Sequence, residues 1–225
     1  MRFILFSKTE FEISDPVALI ESYCFQSDFY KNYDLLLPAR ELEAVNRIGA
    51  RIPKKLLRKY KGVIENSNNL PIFEYDSNFD EFLDLDDETI CNHVRDLVDV
   101  IRKLTEIDGI GLSKATKILH TRYPGIVPMI DNQLRNEYRQ INKQWKDEPS
   151  GILFGYYCNL KKEPNKRNLA QVYETVSRSL PKLTKVRTFD ILWWSFLKAK
   201  MLKKQNKDIN WSTINWRYSK DGESK

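Results

Sequence analysis

The chain has 225 residues, 41% of them hydrophobic and 30% charged, with 37 Lys and Arg against 31 Asp and Glu for a net charge of +6. That length buries a sizeable core in one compact unit spanning residues 1–225, and no run of about 18 apolar residues is present to cross a bilayer. The opening Met1 to Phe6 is too short for a signal-peptide core, so a cytoplasmic location is expected. Cys24, Cys91 and Cys158 are far apart and odd in number, and His93 and His120 are the only histidines. No pair has metal-ligand spacing, so the expectation is three buried thiols with no metal and no cofactor.

In chain order, Arg2 to Phe6 reads either as a short strand or as an apolar lead-in. Ser14-Asp15-Pro16 starts a helix over Val17 to Phe25. Pro38 precedes a second helix, in which Leu42, Val45 and Ile48 form one stripe that closes at Gly49. Pro53 opens a basic amphipathic helix within Arg51 to Lys61, and Asn66 to Pro71 is a turn. The following segment, Glu74 to Glu88, is strongly acidic, and Phe73, Tyr75, Phe79 and Phe82 can anchor it. Asp86 or Asp87 caps a long helix with Ile90, Val94, Leu97, Val98, Ile101 and Leu104 on one face. After it come Tyr123-Pro124-Gly125 as a breaker, an extended stretch Ile126 to Ile130, and a helix from Asn132 to Trp145. A loop around Pro149 to Gly151 precedes helices over Leu169 to Leu180 and Thr188 to Leu202, with Trp193 and Trp194 read as core. The tail, residues 205–225, is expected to be partly disordered. The whole reads as an all-α, mainly helical chain.

The stretch that organises the rest is Leu104 to Leu119. Gly109-Ile110-Gly111 sits between two helical patterns, and Ala115 is small enough for a close helix crossing. The two glycines are expected to supply backbone torsions that side chains forbid and to leave bare N–H groups at the start of the second helix, which suit a phosphate. Basic clusters at Arg51 to Lys61, Lys161-Lys162, Lys166-Arg167 and Lys182 to Lys207 suit a polyanionic partner where they share a face. The segment over residues 97–120 resembles the helix-hairpin-helix motif of proteins that bind DNA without reading its sequence. In that family the hairpin amides grip one phosphate, which positions the protein without selecting bases. The resemblance implies DNA-backbone contacts at Gly109, Ile110, Gly111, Ser113, Lys114 and Lys117.

Together with residues 121–145, the pattern resembles the helix-hairpin-helix DNA glycosylase superfamily of the endonuclease III type. There the hairpin is followed by a Pro-containing extended stretch and a catalytic aspartate at the start of the next helix. Asp131, 22 residues after Gly109, falls on that position. Bifunctional members carry a lysine two residues after the second glycine, where this chain has Ser113, and residue 133 is Gln rather than the histidine often found there. No four-cysteine iron–sulfur site is present either. The resemblance therefore implies at most a monofunctional N-glycosylase, in which Asp131 would stabilise positive charge developing on the sugar or activate water. A broader pattern, Gly-x-Gly, Ala-x-Lys-x-Leu and Pro-x-x-x-Pro-x-x-Asp, resembles a divergent, uncharacterised branch and takes in Leu42 to Pro53 and Arg187 to Trp193.

The same residues have plainer roles. Asp131 directly before Asn132 is also an N-cap, His120 is a packed or surface histidine, and Asp190 pairs with Arg187 or Arg135 inside the fold. Three readings stay open: a glycosylase-like DNA-repair enzyme, a non-catalytic DNA-docking module of the same fold, and a protein-interaction module without nucleic acid. The acidic segment, if packed over the basic surface, would hold DNA off.

Overall fold

The computed structural model describes residues 1–5, 9–13, 15–26, 41–141, 148–204 and 216–220, and the chain is mainly helical. The helices are α1 (Pro16–Gln26), α2 (Glu41–Arg47), α3 (Leu57–Glu65), α4 (Phe79–Asp84) and α5 (Asp87–Thr105). They continue with α6 (Leu112–Arg122), α7 (Asn132–Ile141), α8 (Glu148–Lys161), α9 (Asn165–Ser179) and α10 (Lys185–Lys204). Short 3-10 turns at Lys54–Leu56 and Pro71–Asp76 lead into α3 and towards α4. No described helix is long and apolar enough to cross a membrane.

Helix α5 is the centre of the packing. The Asp86 carboxylate accepts the Thr89 N–H at 2.8 Å, acidic residues fill the first turn, and Arg102 and Lys103 fill the last. Both ends thus complement the helix dipole. The six apolar positions expected from periodicity are all buried, against α3, α6 and α8. Truncating Leu97 or Ile101 to Ala would cost about 2–5 kcal/mol, because the surrounding helices cannot close over the cavity.

The strand question at the N-terminus resolves as strand. β1 (Arg2–Leu5), β2 (Thr9–Ile13) and β3 (Trp216–Lys220) form an antiparallel sheet in that order, with Phe3 opposite Phe11 and Ile13 opposite Trp216. The chain's two ends meet in this sheet, a pairing that no local pattern carries. Apart from β3, the tail expected to be partly disordered lies outside the described residues. So do residues 142–147, on which the last part of the expected Asn132 to Trp145 helix falls.

The loop expected around Pro149 to Gly151 is instead the start of α8. Proline is tolerated in a first helical turn, where its missing N–H has no partner to lose, and Glu148 adds the favoured charge there. Of the two adjacent tryptophans only Trp193 is fully buried. Trp194 is half-buried, edge-on to Tyr23 at 5.6 Å with Lys198 over its ring. Cys24 is buried and its thiol is pushed up to about 12 by burial, whereas Cys91 and Cys158 are half-buried.

The acidic segment is anchored by buried Phe73, Phe79 and Phe82, as their spacing suggests. Its carboxylates pair with three of the expected basic clusters: Asp80 with Lys185, Asp84 with Lys166, and Asp87 with Lys161. These pairs are partly exposed, so each adds at most about 1 kcal/mol of stability. Their larger effect is to neutralise Lys161, Lys166 and Lys185.

Candidate functional site

The turn between α5 and α6 is built on one left-handed torsion. Gly109 has φ +86°, a region that side chains rarely adopt. Gly111 has φ −92° and ψ 177°, an extended N-cap conformation open to any residue. The expectation that both glycines are required by torsion is therefore corrected for Gly111. An ideal Cβ at Gly111 meets no atom within 4 Å, so internal packing does not require glycine there either.

Ile110 is 3% exposed and plugs the turn into the core, which leaves only its backbone for any outside contact. The Gly111 carbonyl accepts the amides of Lys114 and Ala115 at 2.9 Å. The amides of Gly111, Leu112 and Ser113 have no partner among the described residues and form the open end of α6. Gly111 is exposed and Ser113 half-buried. The Lys114 ammonium donates to the Gly109 carbonyl at 2.8 Å and braces the turn. Glu106 and Asp108, just before it in sequence, are both exposed.

Lys117 lies one turn further along α6 from Ser113 and is half-buried. Burial lowers its ammonium pKa; the Asp131 carboxylate opposes the shift, and the Arg187 and Arg51 guanidiniums reinforce it. Lys117 thus shares an electrostatic neighbourhood with Asp131, on the segment that leaves α6. Its Nζ stands 3.7 Å from the Cβ position of Gly49, which has φ +78°.

The extended stretch that delivers Asp131 is pinned from two sides. The Met129 N–H donates to Asp190 Oδ2 at 2.9 Å, and the Ile130 N–H donates to the Thr116 hydroxyl at 3.1 Å. Asp131 Oδ1 then accepts the Leu134 N–H at 2.9 Å, so this carboxylate caps α7. Asp190 is buried beside Arg187, while Arg135 makes a two-pronged pair with Glu148 instead. Burial pushes Asp190 up to about 7 against the pull of Arg187. His120 is fully buried, its Nδ1 bonded to the Val127 carbonyl at 2.7 Å, and burial holds it down to about 3. It is a packed, neutral histidine.

Sequence reasoning missed one neighbour of the hairpin. Leu56, in the turn that opens the basic helix, stands 3.6 Å from the Cβ position of Gly109. The basic segment from Arg51 and the hairpin are therefore packed side by side. Opposite-face apolar spacing at Leu56, Tyr60 and Ile64 was the available signal, but it shows that the helix packs and not what it packs on. Among the described residues no group of three or more Cys, His, Asp or Glu is arranged to hold a metal.

Neither a curated protein nor a solved structure matches the chain. A family described as a "Family of unknown function (DUF6308)" matches residues 79–197, more than half of the 225 and spanning the hairpin, Asp131 and the Arg187 to Asp190 stretch. The chain belongs to that family.

Proposed function

We propose that this chain is a cytoplasmic DNA-binding protein of the helix-hairpin-helix, glycosylase-like type, which grips the phosphate backbone through the α5–α6 hairpin without reading sequence. The observation that carries the reading is Gly111. Neither torsion nor internal packing calls for glycine there, yet its bare backbone lies exposed beside open amides at the positive end of α6. A phosphate drawn to those amides would use the space that a side chain would fill.

Gly111→Asp tests this directly. Aspartate is a better N-cap than glycine and its charge favours a helix start, so the thermal midpoint should stay level or rise. Its carboxylate would at the same time repel a phosphate, and duplex affinity should fall at least about tenfold, the equivalent of about 1.4 kcal/mol. Unchanged affinity would remove the hairpin from the interface. A wild-type protein with no salt-dependent affinity for duplexes of unrelated sequence would favour the protein-interaction reading.

The neighbourhood of Lys117 and Asp131 favours a second reading, monofunctional base excision. The capping bond uses Asp131 Oδ1 and leaves the second oxygen to face charge developing on a flipped nucleotide's sugar. Asp131→Asn separates the roles, because asparagine also caps well. Base release from damaged duplexes should vanish while stability and binding persist. A wild type inert across a broad lesion panel would leave the docking module.

A further inference from the structure

Arg51, Lys54, Lys55, Arg58 and Lys59 are exposed, while Ile52, Leu56, Tyr60 and Ile64 bury the other side of the same segment. Within the 3-10 turn and α3 the exposed Lys54, Lys55, Arg58 and Lys59 recur every three or four residues and form one row, which Arg51 precedes on non-helical backbone with φ +52°. None of the five has an ion-pair partner among the described residues, in contrast to Lys161, Lys166 and Lys185, which the acidic segment neutralises. The row also has a fixed seat. Leu56 packs beside Gly109 at one point, Gly49 approaches Lys117 at another, and the Arg51 charge is felt by Lys117.

We propose that this row is a second phosphate-binding surface, which takes the backbone of the duplex held at the hairpin and supplies most of the affinity. The inference rests on the hairpin reading above and deepens it: the hairpin sets position, and the row sets strength and salt dependence. Lys54 to Lys59 spans the 3-10 turn and the start of α3, five steps of about 1.5–2 Å, which makes that part of the row about 9 Å long. One strand of a duplex offers a phosphate about every 3.4 Å of axis, so the row faces about three of them.

The test measures affinity for a labelled duplex about two helical turns long, between about 50 and 200 mM salt. The row variant is Lys54→Gln/Lys55→Gln/Arg58→Gln/Lys59→Gln, all at exposed positions where the fold is not at stake. Its log–log salt slope should be shallower by about 3, and its affinity near 0.1 M salt lower by on the order of 10³-fold. A control, Lys162→Gln/Arg167→Gln/Lys182→Gln, removes exposed charge elsewhere and should leave the slope nearly unchanged. An unchanged slope in the row variant, or an equal slope loss per charge in the control, overturns the proposal. If Gly111→Asp still weakens binding in that case, the hairpin reading survives alone. The reverse outcome, a row effect without a Gly111 effect, retires the hairpin and leaves the row standing. Absence of wild-type binding near 50 mM salt overturns both.

Discussion

The carbonyl oxygen of Asp76 lies 1.7 Å from where a Cβ on residue 125 would stand, and the Asp76 carboxylate accepts the Gly125 N–H at 2.7 Å. The two segments meet backbone to backbone, with Tyr123 stacked on Phe73 at 3.7 Å just before the contact. Burial raises the Asp76 pKa, and the Gly125 and Ile126 amides pull it back down. Glycine at 125 is thus demanded by packing rather than by torsion.

Gly125→Ala should therefore be among the most damaging single-methyl changes in the chain, about 2–4 kcal/mol in denaturant unfolding, because backbone rather than a movable side chain must give way. Gly62→Ala is the matched control. It lies in α3 with nothing within 4 Å of its Cβ, and it should gain up to about 1 kcal/mol from helix propensity. Equal effects at the two sites would contradict the Asp76 contact.

Two buried groups should give opposite pH signatures. Asp190 rises from an ordinary 3.8 to about 7, so the folded chain keeps a proton there that the unfolded chain has released. That contribution is complete below about pH 4 and is lost as pH rises through about 7. Burial accounts for the retained proton, outweighing Arg187, the Met129 N–H and the Tyr156 hydroxyl, which all favour the carboxylate. Tyr156 O–H reaches both the Val186 carbonyl, at 3.1 Å, and Asp190 Oδ1, at 3.0 Å, but can donate to only one.

His120 works in the other direction, held neutral down to about 3 from an ordinary 6.5, so its contribution is lost as pH falls below about 6.5. Between about pH 4 and 6.5 the two slopes, each at most about 1.4 kcal/mol per pH unit, offset one another. Asp190→Asn should therefore gain stability relative to wild type as pH rises from 4 to about 7, and His120→Asn should gain as pH falls from 6.5 to about 3. Parallel stability curves for wild type and either variant would refute the assignment for that residue.

Periodicity made the central architecture legible. The α5 face, the turn at Gly109 and the cap position of Asp131 all follow from spacing within about 40 residues, the range over which helical patterns and turn chemistry speak. The three-stranded sheet did not, because its strands are short and join the two ends of the chain. Pro149 misled through its usual sense as a breaker, which is lifted in a first helical turn. The candidate site was half visible. The sequence marked the hairpin and the basic segment separately, but their contact runs through Leu56 and Gly109, and tertiary adjacency of two amphipathic pieces leaves no local trace. Likewise the sorting of cations into paired and unpaired sets depends on which face the acidic segment covers.

At the hairpin itself, Gly109→Ala should cost about 1–2 kcal/mol, since φ +86° places any Cβ in a disfavoured torsion. The cost is torsional and not a clash, because Leu56 stands at an ordinary 3.6 Å. Gly109→Asn should then lose less than Gly109→Ala, as asparagine visits the left-handed region more readily. Calorimetric melting of the pair decides it, and an asparagine variant weaker than alanine would point to crowding at Leu56.

The acidic segment would act as a cover over the binding face only if its carboxylates stood on the hairpin or the Arg51 to Lys59 row. They instead meet Lys161, Lys166 and Lys185 on α8, α9 and α10. Asp80→Asn/Asp84→Asn/Asp87→Asn therefore unmasks those three lysines and leaves the row untouched. Near 0.15 M salt, where screening acts over about 8 Å, duplex affinity should change by no more than about threefold. At about 0.01 M salt the longer reach of about 30 Å should let the added positive charge raise it. Stability should fall by no more than about 1 kcal/mol per pair, read from chemical unfolding. A large gain in affinity at the higher salt would mean that the covered lysines belong to the DNA-binding face, and that the acidic segment guards it.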